Sequence, residues 1–364
     1  MHENGPMSHT PTTDLPPQQG LACAWYGPDM ARRTDWIEAP SAAQLQELEQ
    51  ASAALCASQD DLTQLQPDQY ALPCVAPWLA RILHDVTEGR GFVLIRGLPV
   101  QQWSRRQSAA AFMLIGAHLG HARPQNAAGH LLGHVKDVGK SSTDPTVRIY
   151  QTAERQTFHT DSCDIVGLLC LQKARSGGQS ALVSSTTLFN EMRKRRPDLA
   201  AALFEPVATD RRGEVPPGQL PYFSIPVFNW WPHGAAGKLS AIYQRQYIDS
   251  AQRFADAPSL TPQLREALDL LDELTNDPSL NFLMQLEPGD MQFVHNHTLL
   301  HDRMAFKDWP EPERRRHLLR LWLAPAKARA LPPVYAQRYG SVIPGERGGI
   351  CLPTAPWNIP WDGL

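Results

Sequence analysis

Apolar residues along this chain fall in short runs punctuated by Gly and Pro, with a few longer stretches at helical spacing. Ser41 can cap a helix that runs to about residue 55, where Leu45, Leu48 and Leu55 share one face. A second helix is predicted over residues 77–88, with Leu79, Ile82, Leu83 and Val86 as its apolar stripe and Pro77 near its start. Residues 91–99 form a compact apolar run with turn residues at both ends, the pattern of a buried strand. A helix follows over 105–118. Residues 121–142, rich in Gly, Asn and His, read as a loop beside a site, with room for a short strand at 129–135. Further strands are predicted at 147–150, 165–171, 180–185, 291–294 and 317–323. The run at 165–171 is apolar throughout and so buried on both faces. Helices are predicted at 187–195, 197–204 and 265–274.

The ends and one internal stretch break this pattern. Residues 1–20 are polar and Pro-rich and are expected to form a disordered arm. The aromatic turn at 24–28 is expected to dock on the main body. Residues 210–257 are a Pro- and Trp-rich insertion containing Phe228-Asn229-Trp230-Trp231-Pro232, expected to pack as a lid or partner surface. No repeat or linker stands out, so residues 21–364 read as one domain.

Composition narrows the class. The chain is 42% hydrophobic and 20% charged, enough for an ordinary soluble core. A net charge of −3 gives no basic excess for nucleic acid, and no apolar run is long enough to span a bilayer. The 32 prolines and 24 glycines favour turns and short strands over long helices. Six cysteines are scattered with no Cys-x-x-Cys pair, which argues for reduced thiols and a cytoplasmic location. Cys163 reads as a small buried apolar residue. Oligomeric state is open, a homo-oligomer included.

The chemistry centres on Thr157-Phe158-His159-Thr160-Asp161. In a strand, side chains two apart face the same way, so His159 and Asp161 can serve one metal ion. A third ligand must come from afar. His295, His297 and His301 are available, and His301 is the best candidate. Two His and one carboxylate on one face of an ion form the facial triad of non-haem Fe(II) oxygenases. The same three residues suit zinc, so a zinc hydrolase is a rival, although no general base stands out. Arg316 and Arg320, four apart inside an apolar run, can both face inward; Arg314 and Arg315 read as surface charges.

His159-Thr160-Asp161, Ser176-Gly177-Gly178-Gln179-Ser180, Gly289-Asp290 with Asn296 and His301, and Arg315-Arg316-His317-Leu318-Leu319-Arg320 occur in that order. The set resembles the TauD/TfdA family of Fe(II)- and 2-oxoglutarate-dependent dioxygenases, and Phe158-His159-Thr160-Asp161 and Arg316-His317-Leu318 also resemble γ-butyrobetaine hydroxylases. The resemblance implies a mainly β, α+β fold: a double-stranded β-helix (jelly roll) with flanking helices. It implies iron on His159, Asp161 and His301, the last placed five residues after Asn296. It implies that Ser180 and Arg316 hold 2-oxoglutarate, since a guanidinium fork pairs bidentately with a carboxylate. Arg320 is implied to bind substrate or to support the co-substrate. The reaction implied consumes O2 and 2-oxoglutarate, gives succinate and CO2, and hydroxylates a C–H bond. Desaturation, ring closure or a non-catalytic metal-binding jelly roll are the alternatives. The substrate is expected to be small and anionic or amino-acid-like, a carboxylate first and a sulfonate or sulfate ester second. Tyr150, Arg320 and Asn126 are its expected contacts, with Arg148, Arg155, Phe158, Trp230, His121 and Gln125 as further candidates.

Overall fold

The computed structural model describes residues 15–58, 61–141 and 147–361. Two main sheets face each other. The larger has seven strands: Ile37–Glu38, Phe92–Ile95, Met291–His295, Ile165–Gln172, His317–Ala324 and His121–Arg123 lie side by side in that order, and Leu132–Val135 also pairs with His317–Ala324. The smaller has four, in the order Asn281–Met284, Ser180–Ser184, Leu299–Arg303 and Gln156–His159. Among the described residues these ladders are antiparallel, except where Ile37–Glu38 joins Phe92–Ile95.

Period-2 alternation decides which core each residue enters. On His317–Ala324, Leu319, Leu321 and Leu323 turn outward to helices Ala42–Ala57, Val75–Glu88 and Arg105–Leu119. Leu318 and Trp322 turn inward, where Phe92, Val166 and Val294 of the larger sheet meet Leu182, Phe282 and Leu299 of the smaller. The smaller sheet's outer face sends Phe158, Val183 and Leu300 against helices Ser185–Arg195, Pro197–Ala202 and Pro262–Asn276. Each fully buried Leu or Phe contributes about 1.5–3 kcal/mol, so three cores hold the two sheets and the helices on their outer faces.

The helix starts follow local chemistry. Ser41 Oγ accepts Gln44 N–H (3.3 Å) while Gln44 Oε1 accepts Ser41 N–H (2.7 Å), a reciprocal cap. Ser104 and Thr261 cap Arg105–Leu119 and Pro262–Asn276 in the same way from one side. One expectation is corrected. The strand predicted at 147–150 is instead a 3-10 turn, Ile149–Gln151, closed by Thr152 N–H and Oγ1 on Ile149 O (both 2.9 Å). The insertion is regular: Tyr222–Pro226 pairs with Pro206–Asp210, Phe228–Trp231 pairs with Lys238–Ala241, and Arg245–Ala251 is helical.

Most of the expected disordered arm, residues 1–14, lies outside the described residues. Gln19 N–H donates to Asn190 Oδ1 (2.9 Å) and Arg193 Nε–H to Pro16 O (3.1 Å), so residues 15–20 lie on the helix Ser185–Arg195. Among the described residues, no helix is long and apolar enough to cross a membrane. All six cysteines are free, and Cys163 is fully buried.

Candidate active site

His301 stands directly opposite His159 where Leu299–Arg303 pairs with Gln156–His159. Residues so paired have Cβ atoms about 5 Å apart, and the two rings lie 4.2 Å centroid to centroid. The strand ends at His159, and Thr160 N–H leaves the ladder for Tyr243 O (2.8 Å). Asp161 therefore does not project from the same strand as His159, as the two-residue spacing predicts; it comes in on a bend. Asn296 Oδ1 accepts Asp161 N–H (2.9 Å), and Trp322 Nε1–H donates to Asp161 Oδ2 (2.9 Å). Asp161 Oδ1 lies 3.9 Å from His159 Nε2, and Oδ2 lies 3.8 Å from His301 Nε2. One donor atom from each of the three lies within 4.8 Å of the others. The competing histidines are engaged elsewhere: His295 Nδ1 with Thr298 Oγ1 (2.9 Å) and His297 Nε2 with Asp164 Oδ1 (2.8 Å).

Charge states follow from this packing. Burial alone would raise the Asp161 carboxyl, but Arg320 and the two imidazoles beside it bring it down to about 2. Burial, with His159 adjacent, pushes His301 down to about 3, and burial pushes His159 the same way. At neutral pH the cluster is one carboxylate and two neutral imidazoles, the protonation state a divalent cation requires of its ligands. His159 Nδ1–H donates to Thr157 O (2.8 Å), which leaves Nε2, now accepting from Gln156 Nε2 (2.8 Å), as the donor atom.

A buried clamp supports the Asp161 bend from behind. Arg347, fully buried, donates from Nε (3.0 Å) and Nη2 (2.6 Å) to the Asp164 carboxylate. Asn296 N–H donates to Asp164 O (2.9 Å), and Gly349 N–H to Ser162 O (2.8 Å). Sequence reasoning missed Asp164 and Arg347. Gly348 and Gly349, both at φ 83°, are the only trace they leave, marking where the C-terminal segment presses on Ser162 and Pro124.

The cleft lined by His159 and Asp161 of the triad is walled further by Tyr150, Arg320 and Trp322, by Tyr243, Gln244 and Tyr247 from the insertion, and by Arg148 and Arg338. The Arg320 guanidinium lies 4.6 Å from the Tyr150 ring and 5.1 Å from that of Trp322, with Nη1 3.6 Å from Asp161 Oδ2. Gln125 accepts from Arg320 Nε (2.7 Å), so it orients Arg320 and is not itself a cleft wall. Asn126 is placed elsewhere. Its Oδ1 accepts Ala128 N–H (3.0 Å) and His130 N–H (3.3 Å), closing its own loop over a neighbouring cavity. Arg155 pairs with Asp302 (2.7 Å), His121 Nδ1 meets Gly345 O (3.1 Å), and Phe158 and Trp230 belong to the outer core.

Residues 59–322 match the family described as taurine catabolism dioxygenase TauD, TfdA family. FR-33289 synthase of Streptomyces rubellomurinus is 32% identical over 282 residues, 76% of this chain and 81% of its own. A taurine hydroxylase-like protein of Stachybotrys chartarum is 30% identical over 311 residues, 82% of this chain and 77% of its own. The chain belongs to this family. A uridine-5'-phosphate dioxygenase of an Amycolatopsis species is 30% identical over 286 residues, 73% of this chain and 98% of its own. Among solved structures, an asparagine oxygenase with Fe(II), 3-hydroxyasparagine and succinate matches at TM-score 0.59 and 16% identity, over 79% of this chain and 93% of its own. The oxygenase OrfP with Fe and α-ketoglutaric acid matches at TM-score 0.58 and 18% identity, over 79% and 93%. The protein is a non-haem Fe(II)/2-oxoglutarate-dependent dioxygenase.

The donor set of the TauD-type triad fits Fe(II), and a second feature fits the co-substrate. Arg316 is buried, lies 5.1 Å over the Phe306 ring, and its Nη1 has no protein acceptor among the described residues. Burial pushes it down to about 10. A buried guanidinium with a free N–H suits a carboxylate partner. Ser180 stands opposite Arg303 in the ladder, and the nearby Gly178 lies so close that a Cβ there would be 3.2 Å from Arg316 Nε. Ser180 opens its strand in the smaller sheet and Arg316 directly precedes His317–Ala324 of the larger one, and neither walls the triad cleft; Arg316 borders a separate cavity with Lys136 and Gln172. Arg303 joins them, pushed down to about 9 by burial and then by Arg316, with its Nε unpartnered among the described residues. Its position two residues past His301 in a strand was the signal available for finding it.

Proposed function

We propose that this dioxygenase hydroxylates a C–H bond of a small anionic, amino-acid-like molecule held in the cleft over His159, Asp161 and His301. The observation that carries this is the convergence of that triad at a cleft lined by its His159 and Asp161, whose other ionic walls are three guanidinium groups, Arg148, Arg320 and Arg338, and one carboxylate, Asp210. In this reading the facing sheets form a jelly-roll core, within a single domain over residues 21–364. His159, Asp161 and His301 hold the metal. Ser180 and Arg316 anchor the distal carboxylate of 2-oxoglutarate. Bound Fe(II) and 2-oxoglutarate supply the oxidising power for C–H cleavage, with O2 consumed and succinate and CO2 released. The chain's own residues do the positioning. Trp322 and Asn296 fix the Asp161 carboxylate, while Tyr150, Tyr243 and Tyr247 restrict water and the substrate's orientation. The relative named for uridine-5'-phosphate acts on an anion, which supports an anionic substrate here. Free cysteines support a cytoplasmic location, and the reading needs neither nucleic acid nor membrane.

The test is succinate formation by purified protein with Fe(II), 2-oxoglutarate and O2, alone and with a panel of small anions. Slow succinate release, accelerated by an anion of the panel that gains one oxygen atom, is expected. No succinate under any condition would refute the assignment.

A further inference from the structure

Resting on the dioxygenase reading above, we propose that Gln244 is a specificity-determining residue: its Oε1 accepts a hydrogen bond from a neutral donor, a hydroxyl or amide N–H, that the anionic substrate carries near the carbon to be oxidised. Gln244 lies in the insertion, between the strand Lys238–Ala241 and the helix Arg245–Ala251. His301 stands opposite His159 in the ladder, and His159 stands opposite Gln244 in an isolated antiparallel bridge, so the three form one cross-strand row. Thr160 N–H to Tyr243 O (2.8 Å) and Tyr243 N–H to Thr160 Oγ1 (3.0 Å) hold that bridge beside the Asp161 bend. Residues so paired share a face, with Cβ atoms about 5 Å apart. The Gln244 side chain therefore starts on the same side as the two imidazoles.

The amide oxygen is left over by the fold. Gln244 holds the N-cap position of Arg245–Ala251, yet its side chain forms no cap; only its backbone carbonyl serves the helix, accepting Tyr247 N–H (3.0 Å) and Ile248 N–H (3.1 Å). Gln244 is 7% exposed and walls the cleft beside His159 and Asp161. Among the described side chains in those walls, Gln244 Oε1 is the one buried nitrogen or oxygen with no hydrogen-bond partner. A buried carbonyl without a donor is destabilising, and a donor that arrives with the substrate relieves it. The carboxylates in the same walls are taken. Asp161 Oδ2 accepts Trp322 Nε1–H (2.9 Å) and faces Arg320 Nη1 (3.6 Å). Asp210 is engaged by Arg253, by Ser250 Oγ (2.6 Å) and by Arg212 N–H (2.8 Å). An ammonium finds no free carboxylate there among the described residues, and the walls set three guanidinium groups against those two carboxylates. A neutral O–H or N–H meets neither penalty.

The experiment is calorimetric titration of anaerobic protein loaded with Fe(II) and 2-oxoglutarate, using a length series of straight-chain carboxylates that end in hydroxyl, ammonium or methyl. At the length that reaches Gln244, the hydroxyl compound should bind about tenfold more tightly than its methyl and ammonium counterparts. Gln244→Met should abolish that preference and leave the urea midpoint no lower than that of the wild type, since it removes an unpaired group. Gln244→Glu should turn the preference to the ammonium compound. A wild type that prefers the hydroxyl compound at no length, or a preference that survives in Gln244→Met, overturns the assignment. A lower urea midpoint for Gln244→Met also overturns it, because the amide would then serve the fold. Uncoupled succinate formation by the wild type separates the two claims. If it is present without a hydroxyl preference, only the Gln244 assignment falls; if it is absent, the dioxygenase reading falls with it.

Discussion

Arg347→Met removes the cation from the clamp behind the metal cluster while keeping much of the side-chain volume. Arg347 makes three contacts with the Asp164 carboxylate (3.0, 3.0 and 2.6 Å) and donates to Arg329 O (2.9 Å) and Val342 O (3.2 Å). Without it, Asp164, which has no exposed surface, keeps only His297 as an ion-pair partner among the described residues. Breaking a buried pair from one side costs about 3–5 kcal/mol, a large share of the roughly 5–15 kcal/mol that holds a typical fold. Urea unfolding should therefore show a lower midpoint at an unchanged slope. The loss should reach the metal, because Asp164 O and Asp161 N–H are both tied to Asn296. Fe(II) affinity should fall about 10–100-fold. A pH dependence should identify the cause. In the intact protein His297 is held below its usual value by burial, opposed by Asp164 and reinforced by Arg347. Losing Arg347 lessens that depression, so the variant loses less stability than the intact protein as pH falls below the unfolded value of about 6.5. The deficit should thus be smaller at pH 6 than at pH 8, and Asp164→Asn in the same chain should recover part of it. A loss below about 1 kcal/mol, or one equal at both pH values, would refute the reasoning.

Three further outcomes are expected. His301→Ala should cut Fe(II) affinity by more than about a hundredfold, read as metal content after dialysis; iron retained at the wild-type level would contradict the triad. Arg316→Leu should raise the 2-oxoglutarate KM by about thirtyfold or more, and an unaltered KM would move the anchor to Arg303 or Arg320. His317 is pushed down to about 3 by burial and by His134, whose Nδ1 is 2.8 Å from its Nε2. Its folded value lies below its unfolded one, so stability is full above about pH 6.5 and falls by up to about 1.4 kcal/mol per unit below it. His317→Phe should flatten that acid slope in denaturant midpoints measured between pH 7 and 5, and an identical slope would count against it.

How far the sequence could be read depends on the range of the forces that shape each part. The Ser41 helix, the strand at Phe92–Ile95 and the inward–outward alternation of His317–Ala324 are set by neighbours a few residues away, so composition and spacing foretold them. Residues 147–150 carry the apolar signs of a strand, yet they turn. Arg303 reaches back from a distant strand to take Thr152 O (2.8 Å), and local periodicity holds no trace of that bond. The proposed metal site divides in the same way. His159 and His301 are joined by cross-strand register, which the ordered motifs of the family encode. The bend that delivers Asp161 depends on Tyr243, Asn296 and the Arg347 clamp, contacts from three separate parts of the chain. The cleft walls go further from legibility, because Tyr243 and Gln244 lie in the short link between the strand Lys238–Ala241 and the helix Arg245–Ala251, Tyr247 lies on that seven-residue helix, and Arg338 comes from a four-residue helix. The oxidising chemistry rests on register and was readable. Substrate choice rests on how those short pieces pack against the register-bearing sheets, so substitutions at Arg338 or Gln244 should change which molecule is oxidised while Fe(II) affinity stays within a fewfold of wild type.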